Sequence, residues 1–375
     1  MNSICKKGSF MTPPQTKLWK IDPHTKAKHE ILRRYLGAWF GILGKKIPRI
    51  VYIDGFCGPG EYEGGEPGSP LIALQQAKPL ATKYQNTEFV FIFIDERKDR
   101  IESLKSKIRS EQYPQNMLIF PINGAFEEEM SELFSNLSDK GALLAPTFVF
   151  IDPFGFSGIP FDIVAKFLSN PKTEIFINVM VDPINRFLGH PNPEITNHII
   201  RMFGTSKVTK VLSGSGDRFQ ALRCLYQEQL LTHAKFVRYF EMRDQYNQTI
   251  YYLFFASSHR LGHLKMKEAF WRVDSQTGYL FSDATDPNQL VLFQDDLIVE
   301  LASTLVKKFC GQTVTTNEII HDFVEDQTPY TASHAKNALS ILENEQKIKV
   351  CVYKIDGSPR RRNSFPDGVS VEFLV

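Results

Sequence analysis

The segment Val51 to Gly60 reads Val-Tyr-Ile-Asp-Gly-Phe-Cys-Gly-Pro-Gly, an apolar run that stops at an acid and enters a glycine turn. Glycine in such a turn lets the backbone approach a ligand where any side chain would collide. Asp54, at the tip of the run, can pair with an ammonium but carries the wrong charge to sit beside a phosphate. The G-K-[ST] ending of a phosphate loop is absent as well, which disfavours a nucleoside triphosphate. A second acid, Asp95, ends the run Phe-Ile-Phe-Ile-Asp, where nucleoside-binding folds place a carboxylate on ribose hydroxyls. It lies 35 residues past Gly60 rather than the usual ~20. The insert Glu61 to Gly68, ahead of Ser69-Pro70 at a helix start, accounts for the excess. Loop, Asp54 and Asp95 together point to a nucleoside cofactor that carries an ammonium.

A third acid opens Asp152-Pro153-Phe154-Gly155-Phe156. A carboxylate and a proline carbonyl can accept the hydrogen bonds of an exocyclic amine, aiming its lone pair at a methyl donor. Phe154 or Phe156 can stack on a base taken out of its helix. The same five residues also make an ordinary tight turn, with Asp152 capping it and both phenylalanines packed inward. Of nine histidines, His24 and His29 stand out because they fall in the basic N-terminal segment. The five cysteines (Cys5, Cys57, Cys224, Cys310, Cys351) are scattered and never form C-x-x-C. Neither a disulfide framework nor a metal site is expected, and a reducing, cytoplasmic setting is.

Charge is distributed unevenly. Residues 1–50 carry 11 basic against two acidic side chains, although the whole chain is only +2. Such a block, with Lys26, Lys28, Arg33 and Arg34 at its centre, suits nucleic acid. It also suits a solvated helix face with a tail. No apolar run is long enough to span a bilayer, and the N-terminus lacks the apolar segment of a signal peptide.

Positioning these residues requires a particular set of elements. The runs 50–53, 89–94, 117–120, 147–151 and 174–178 are β-branched or aromatic and bounded by turn residues, as buried parallel strands are. Helical stretches such as 69–76 and 98–110 lie between them, which predicts a doubly wound α/β sheet. Residues 185–234 break the rhythm and read as a helical insertion. Residues 235–243 and 249–257 form a closing antiparallel hairpin, and residues 271–293 complete the domain. From Asp295 a different unit begins. Helices are expected at 295–309, at 316–325 with Thr316 as cap, and at 331–345, followed by extended runs at 347–354 and 369–375. Three helices and a hairpin read as a winged helix, giving domains 1–293 and 294–375. Its third helix would enter a major groove while Arg360, Arg361 and Arg362 at the hairpin tip meet phosphates. Residues 295–375 carry nine basic against 12 acidic side chains, so docking onto protein is the competing role for this unit.

At these residues the chain resembles the three-Cys-motif partner family and, more distantly, the adenine-amine methyltransferases of DNA and ribosomal RNA. The first likeness runs over Trp19-Lys20, Lys28-His29-x-Ile31-Leu32, Tyr52-Ile-Asp54-x-Phe56-x-Gly58-x-Gly60 and Gly68-Ser-Pro-Leu71. It continues in Phe93-Ile-Asp95, Ile151-Asp-Pro-Phe-Gly155 and Tyr252-Leu-Phe-Phe-Ala256. The resemblance implies a Rossmann-like methyltransferase fold, S-adenosylmethionine as cofactor and a partner protein bearing three cysteines. It puts Phe56, Gly58 and Gly60 on the cofactor loop and Asn123 beside the cofactor's adenine. The Asp-Pro-Pro-aromatic motif of the amine methyltransferases maps onto Asp152 and Pro153, with Phe154 in place of the second proline and Gly155 in place of the aromatic. The expectation is a methyltransferase acting on a base amine of nucleic acid, with Asp152, Pro153 and Phe154 at the acceptor. The alternative is a non-catalytic cofactor-binding or scaffold subunit of a partner enzyme.

Overall fold

The computed structural model describes residues 16–155, 158–170, 172–214, 216–284 and 294–374. Phe156, the basic residues Lys6 and Lys7, Cys5, the last nine residues of the expected closing segment (285–293) and Val375 lie outside the described residues. The chain divides into two units, residues 1–269 with 280–285, and residues 270–279 with 286–375.

In the first unit α1 (Pro23–Leu43) precedes a regular alternation. This runs β1 (Arg49–Asp54), α2 (Ser69–Lys83), β2 (Glu88–Asp95), α3 (Lys98–Arg109), β3 (Met117–Asn123), α4 (Phe126–Asp139), β4 (Thr147–Ile151), α5 (Phe161–Ser169) and β5 (Thr173–Val179). The order β3-β2-β1-β4-β5 is parallel throughout, so the chain winds outward in both directions from β1. Every residue of β4 and β5 is buried, which suits their largely apolar sequence, interrupted in β5 by the buried Glu174 and Asn178. The antiparallel pair β6 (Phe236–Arg243) and β7 (Thr249–Ser257) closes the sheet, with β7 inserted between β5 and β6. This is the doubly wound methyltransferase arrangement that the sequence predicts.

The insertion between β5 and β6 is helical: α6 (Val181–Phe187), α7 (Pro193–Phe203), a 3-10 segment (Ser206–Ser213) and α8 (Arg218–Leu231). Local chemistry sets its boundaries. Asn192 accepts from the Glu194 amide ahead of Pro193, and Asp217 accepts from the amides of Phe219 and Gln220. Two elements escape the sequence reading: α9 (Arg260–Val273) and the short edge strand β8 (Leu280–Ser282), parallel to β6.

The second unit holds α10 (Gln294–Phe309), β9 (Thr313–Thr315), a π-helical stretch (Glu318–Glu325), α11 (Ala332–Asn344), β10 (Ile348–Val350) and β11 (Ser370–Phe373). Its sheet order is β10-β11-β9, so β9 is a third strand that the hairpin reading did not foresee. Its core gathers Leu301, Leu305, Ile320, Leu339, Leu342 and Val371. The expected cap Thr316 has another job. Buried, it donates to the Pro366 carbonyl at 2.8 Å and accepts from the Val369 amide at 3.1 Å, tying the helix start to the strand beside it. Thr315 caps instead, accepting from the Glu318 amide while the Glu318 carboxylate takes the Thr315 amide at 2.7 Å. α11 starts on a reciprocal capping box between Thr331 and His334.

Candidate cofactor and acceptor site

The three strand-end acids meet along one edge of the sheet, at the C-terminal ends of β1, β2 and β4. Asp54 pairs in register with Phe93 on β2 and Phe150 on β4, so the adjacent strand ends hold Asp95 and Asp152 close to it. In doubly wound sheets the ligand crevice opens outside these ends.

Asp54 is fully buried. It accepts from the Phe56 amide at 3.3 Å and the Tyr52 hydroxyl at 3.4 Å, both long, and from Ser69. No ion pair among the described residues includes it. Burial, partly countered by the Ser69 and Phe56 bonds, pushes its carboxyl up to about 7. A buried carboxylate without a cation is what an incoming ammonium would relieve.

The loop that follows is held by β2. The Cys57 amide donates to the Ile94 carbonyl at 2.9 Å and the Gly58 amide to Asp95 Oδ2 at 3.1 Å. Gly58 and Gly60 have φ of +63° and +94°, left-handed values that favour glycine. Asp95 Oδ1 accepts from the Arg97 amide at 2.8 Å, and Arg100 Nη1 stands 3.7 Å from Oδ2. Its two oxygens keep lone pairs for further donors. Asn123 donates to the Asp95 and Glu96 carbonyls at 3.0 and 2.8 Å, so its amide group steadies the β2 end. Phe56 packs on Phe126 beneath the loop.

Above Asp95 stands a cover that sequence reading did not assign. The Arg100 guanidinium lies 4.9 Å from the Trp19 ring and 5.9 Å from Phe154. Trp19 also meets Phe154 and Tyr62 edge-on at 5.8 and 5.6 Å. Phe154 is therefore part of this aromatic and guanidinium cover.

Asp152 differs most from expectation. Its Oδ2 accepts from the Lys28 ammonium and its Oδ1 from the Asn178 amide at 2.8 Å. Lys28, assigned above to nucleic acid, is buried in this pair and lies 5.4 Å over the Tyr251 ring. Its position on the inner face of α1, one residue before a buried His29, withdraws it from the surface. Beside it His24 bonds Asp283 at 2.8 Å. His29, against Tyr62 at 5.6 Å, is held near 3 by burial and then by the Lys28 charge, and is neutral. Asn178 was missed, although it too is a polar residue at a buried strand's end.

Residues 280–351 match the family model described as the GMT-like wHTH domain. The C-terminal part is a winged helix. Among solved structures the chain is similar to human methyltransferase-like protein 13, determined in complex with SAH, at a TM-score of 0.35 and 9% identity, covering 72% of this chain and 99% of that one. It is also similar to the cyclopropane synthase MmaA2 of Mycobacterium tuberculosis, at a TM-score of 0.25 and 10% identity, covering 64% and 70%. No curated protein matches in sequence. The fold stands on its strand order.

The basic residues separate into surface and interior. Lys26 is exposed, 3.6 Å from Glu66, and Arg33 and Arg34 flank Glu30 on the outer face of α1. In the second unit Arg361 and Arg362 are exposed, whereas the Arg360 side chain is only 4% exposed. Arg360 pairs with Glu343 of α11 and donates to the carbonyls of Cys351 and Ser364, bracing the base of the wing. Its expected phosphate contact is thereby replaced by a structural one. No helix among the described residues is long and apolar enough to cross a membrane, and no group of three or more metal-ligating side chains occurs among them.

Proposed function

We propose that the first unit binds S-adenosylmethionine and that the protein transfers its methyl group to nucleic acid. The observation that carries this is Asp54, a buried carboxylate at a strand end with no ion-pair partner among the described residues. Asp54 would hold the ammonium of the methionine moiety and Asp95 the ribose hydroxyls. Phe56, Gly58, Gly60 and Asn123 would shape the cleft around the nucleoside. The bound cofactor supplies an electrophilic methyl group. The chain's part is placement, since in-line methyl transfer needs orientation above all. Asp152, Pro153 and Phe154 line the acceptor side.

Lys26, Arg33 and Arg34 on α1 and Arg361 and Arg362 on the wing would supply the phosphate contacts. The likeness to a winged-helix family supports a nucleic-acid partner. A three-cysteine partner protein, which the family resemblance implies, belongs to the same proposal.

Calorimetry with S-adenosylmethionine or its demethylated product tests the cofactor assignment. Asp95→Ala should weaken binding about ten- to a hundredfold, the worth of ~1.5–3 kcal/mol of charge-assisted hydrogen bonding. Unchanged affinity in a folded variant would overturn the ribose role. Cofactor binding without transfer to any nucleic acid would move the protein to the non-catalytic subunit reading.

A further inference from the structure

We infer that residues 16–22 form a plug, with the Trp19 ring standing where a nucleoside cofactor must lie against the glycine turn. This rests on the cofactor reading above and adds how entry to that site is controlled.

The turn is covered on the side where a ligand needs it open. Gly58, Pro59 and Gly60 are buried, as are Asp54, Cys57, Ser69 and Asp95 around them. Trp19 supplies the cover at Gly58. Its Cη2 atom lies 3.7 Å from the point where a Cβ on Gly58 would stand, and that point is one bond length from the glycine backbone. A ligand atom between ring and backbone needs about 3.5–4.0 Å on either side, ~7 Å in all. The gap is too narrow for it. A lid that closes over a bound ligand would leave a layer's thickness beneath the ring, whereas this indole rests on the turn itself.

The plug is held by contacts of a kind that can be exchanged. Residues 16–22 contain neither helix nor strand. The Trp19 carbonyl accepts from the Glu63 amide at 2.9 Å. The ring is fixed by the Arg100 guanidinium at 4.9 Å and, edge-on, by Tyr62 and Phe154 at 5.6 and 5.8 Å. Each such ring contact is modest. The helix behind is of another kind: α1 starts at Pro23 and is anchored in the core by Ile31, Leu32, Leu36 and Phe40. The strap therefore swings while α1 stays. Arg100, 3.7 Å from Asp95 Oδ2, ties the closed ring to the carboxylate assigned to ribose. A chain that binds only while the strap is out has its affinity lowered in proportion to the fraction of molecules that are open.

Two readouts on the full chain test this. In calorimetry with S-adenosylmethionine and with its demethylated product, Trp19→Ala should bind about tenfold more tightly than wild type. Trp19→Leu, which keeps an apolar side chain over Gly58, should gain less. Hydrogen exchange before ligand is added should be faster in Trp19→Ala at the segment holding Cys57 and Gly58, with β4 and β5 protected as in wild type. That protection also certifies the fold, and if Trp19→Ala fails it, Trp19→Leu carries the same comparison. Weaker or unchanged affinity in a folded variant makes the ring part of the binding surface, which overturns the plug and leaves the cofactor reading intact. Unchanged exchange at the turn overturns the plug as well. Binding by neither wild type nor a variant whose turn exchanges freely would bring down both readings.

Discussion

A carboxyl group held up to about 7 makes Asp54 a liability to the fold. An unfolded aspartate titrates near ~3.9. Between those values the folded chain keeps a proton that the unfolded chain has released. Stability from this residue is therefore greatest at low pH and falls as pH rises through that window. Once pH has passed the upper of the two values, the loss is on the order of 4 kcal/mol. Asp54→Asn should raise the Tm of the cofactor-free protein at about pH 8, change it little at about pH 4, and abolish cofactor affinity. Equal Tm shifts at both pH values would show that Asp54 is not the titrating group. Because an ammonium needs the ionised form, wild-type affinity should climb with pH and level off above about 7, with proton release visible by calorimetry in buffers of different ionisation enthalpy. The acids Asp54, Asp95 and Asp152 were legible because each ends an apolar run. Their partners were not, since Lys28 and Asn178 reach Asp152 across 124 and 26 residues, and nothing local in a sequence records such a contact.

At the level of elements, periodicity located β1 to β5, and cap chemistry located several helix starts. What it could not resolve were segments whose partners are remote. α9 and β9 became visible only through packing, and Thr316 reads as a cap until Pro366 and Val369 are brought beside it. The three wing arginines show the same limit, being identical in type but different in role. Arg360→Ala should destabilise the second unit by about 3–5 kcal/mol, because it strands the partly buried carboxylate of Glu343. Arg361→Ala and Arg362→Ala should cost under about 0.5 kcal/mol in stability and instead weaken nucleic-acid binding. Melting curves and binding titrations on the three variants separate these outcomes, and equal stability losses would refute the distinction.

For the whole molecule, the basic N-terminal region should govern affinity, since the winged helix carries more acidic than basic residues. Replacing Lys26, Arg33 and Arg34 with Gln should lower the slope of log affinity against log salt by about 2–3 if each side chain neutralises one phosphate. A slope unchanged from wild type would transfer that role to the second unit.

The cover over Asp95 also makes the protein its own optical instrument. Of its three tryptophans, Trp39 is enclosed in the core and Trp271 bonds the Pro329 carbonyl within the second unit. Of the three, only Trp19 stands against the Gly58–Gly60 turn, with a guanidinium 4.9 Å from its ring. Any ligand that enters there must alter the surroundings of that indole. A Trp19→Phe variant should therefore lose most of the emission change seen on adding S-adenosylmethionine, while Trp39→Phe and Trp271→Phe keep it. Occupancy can then be followed in real time without a label.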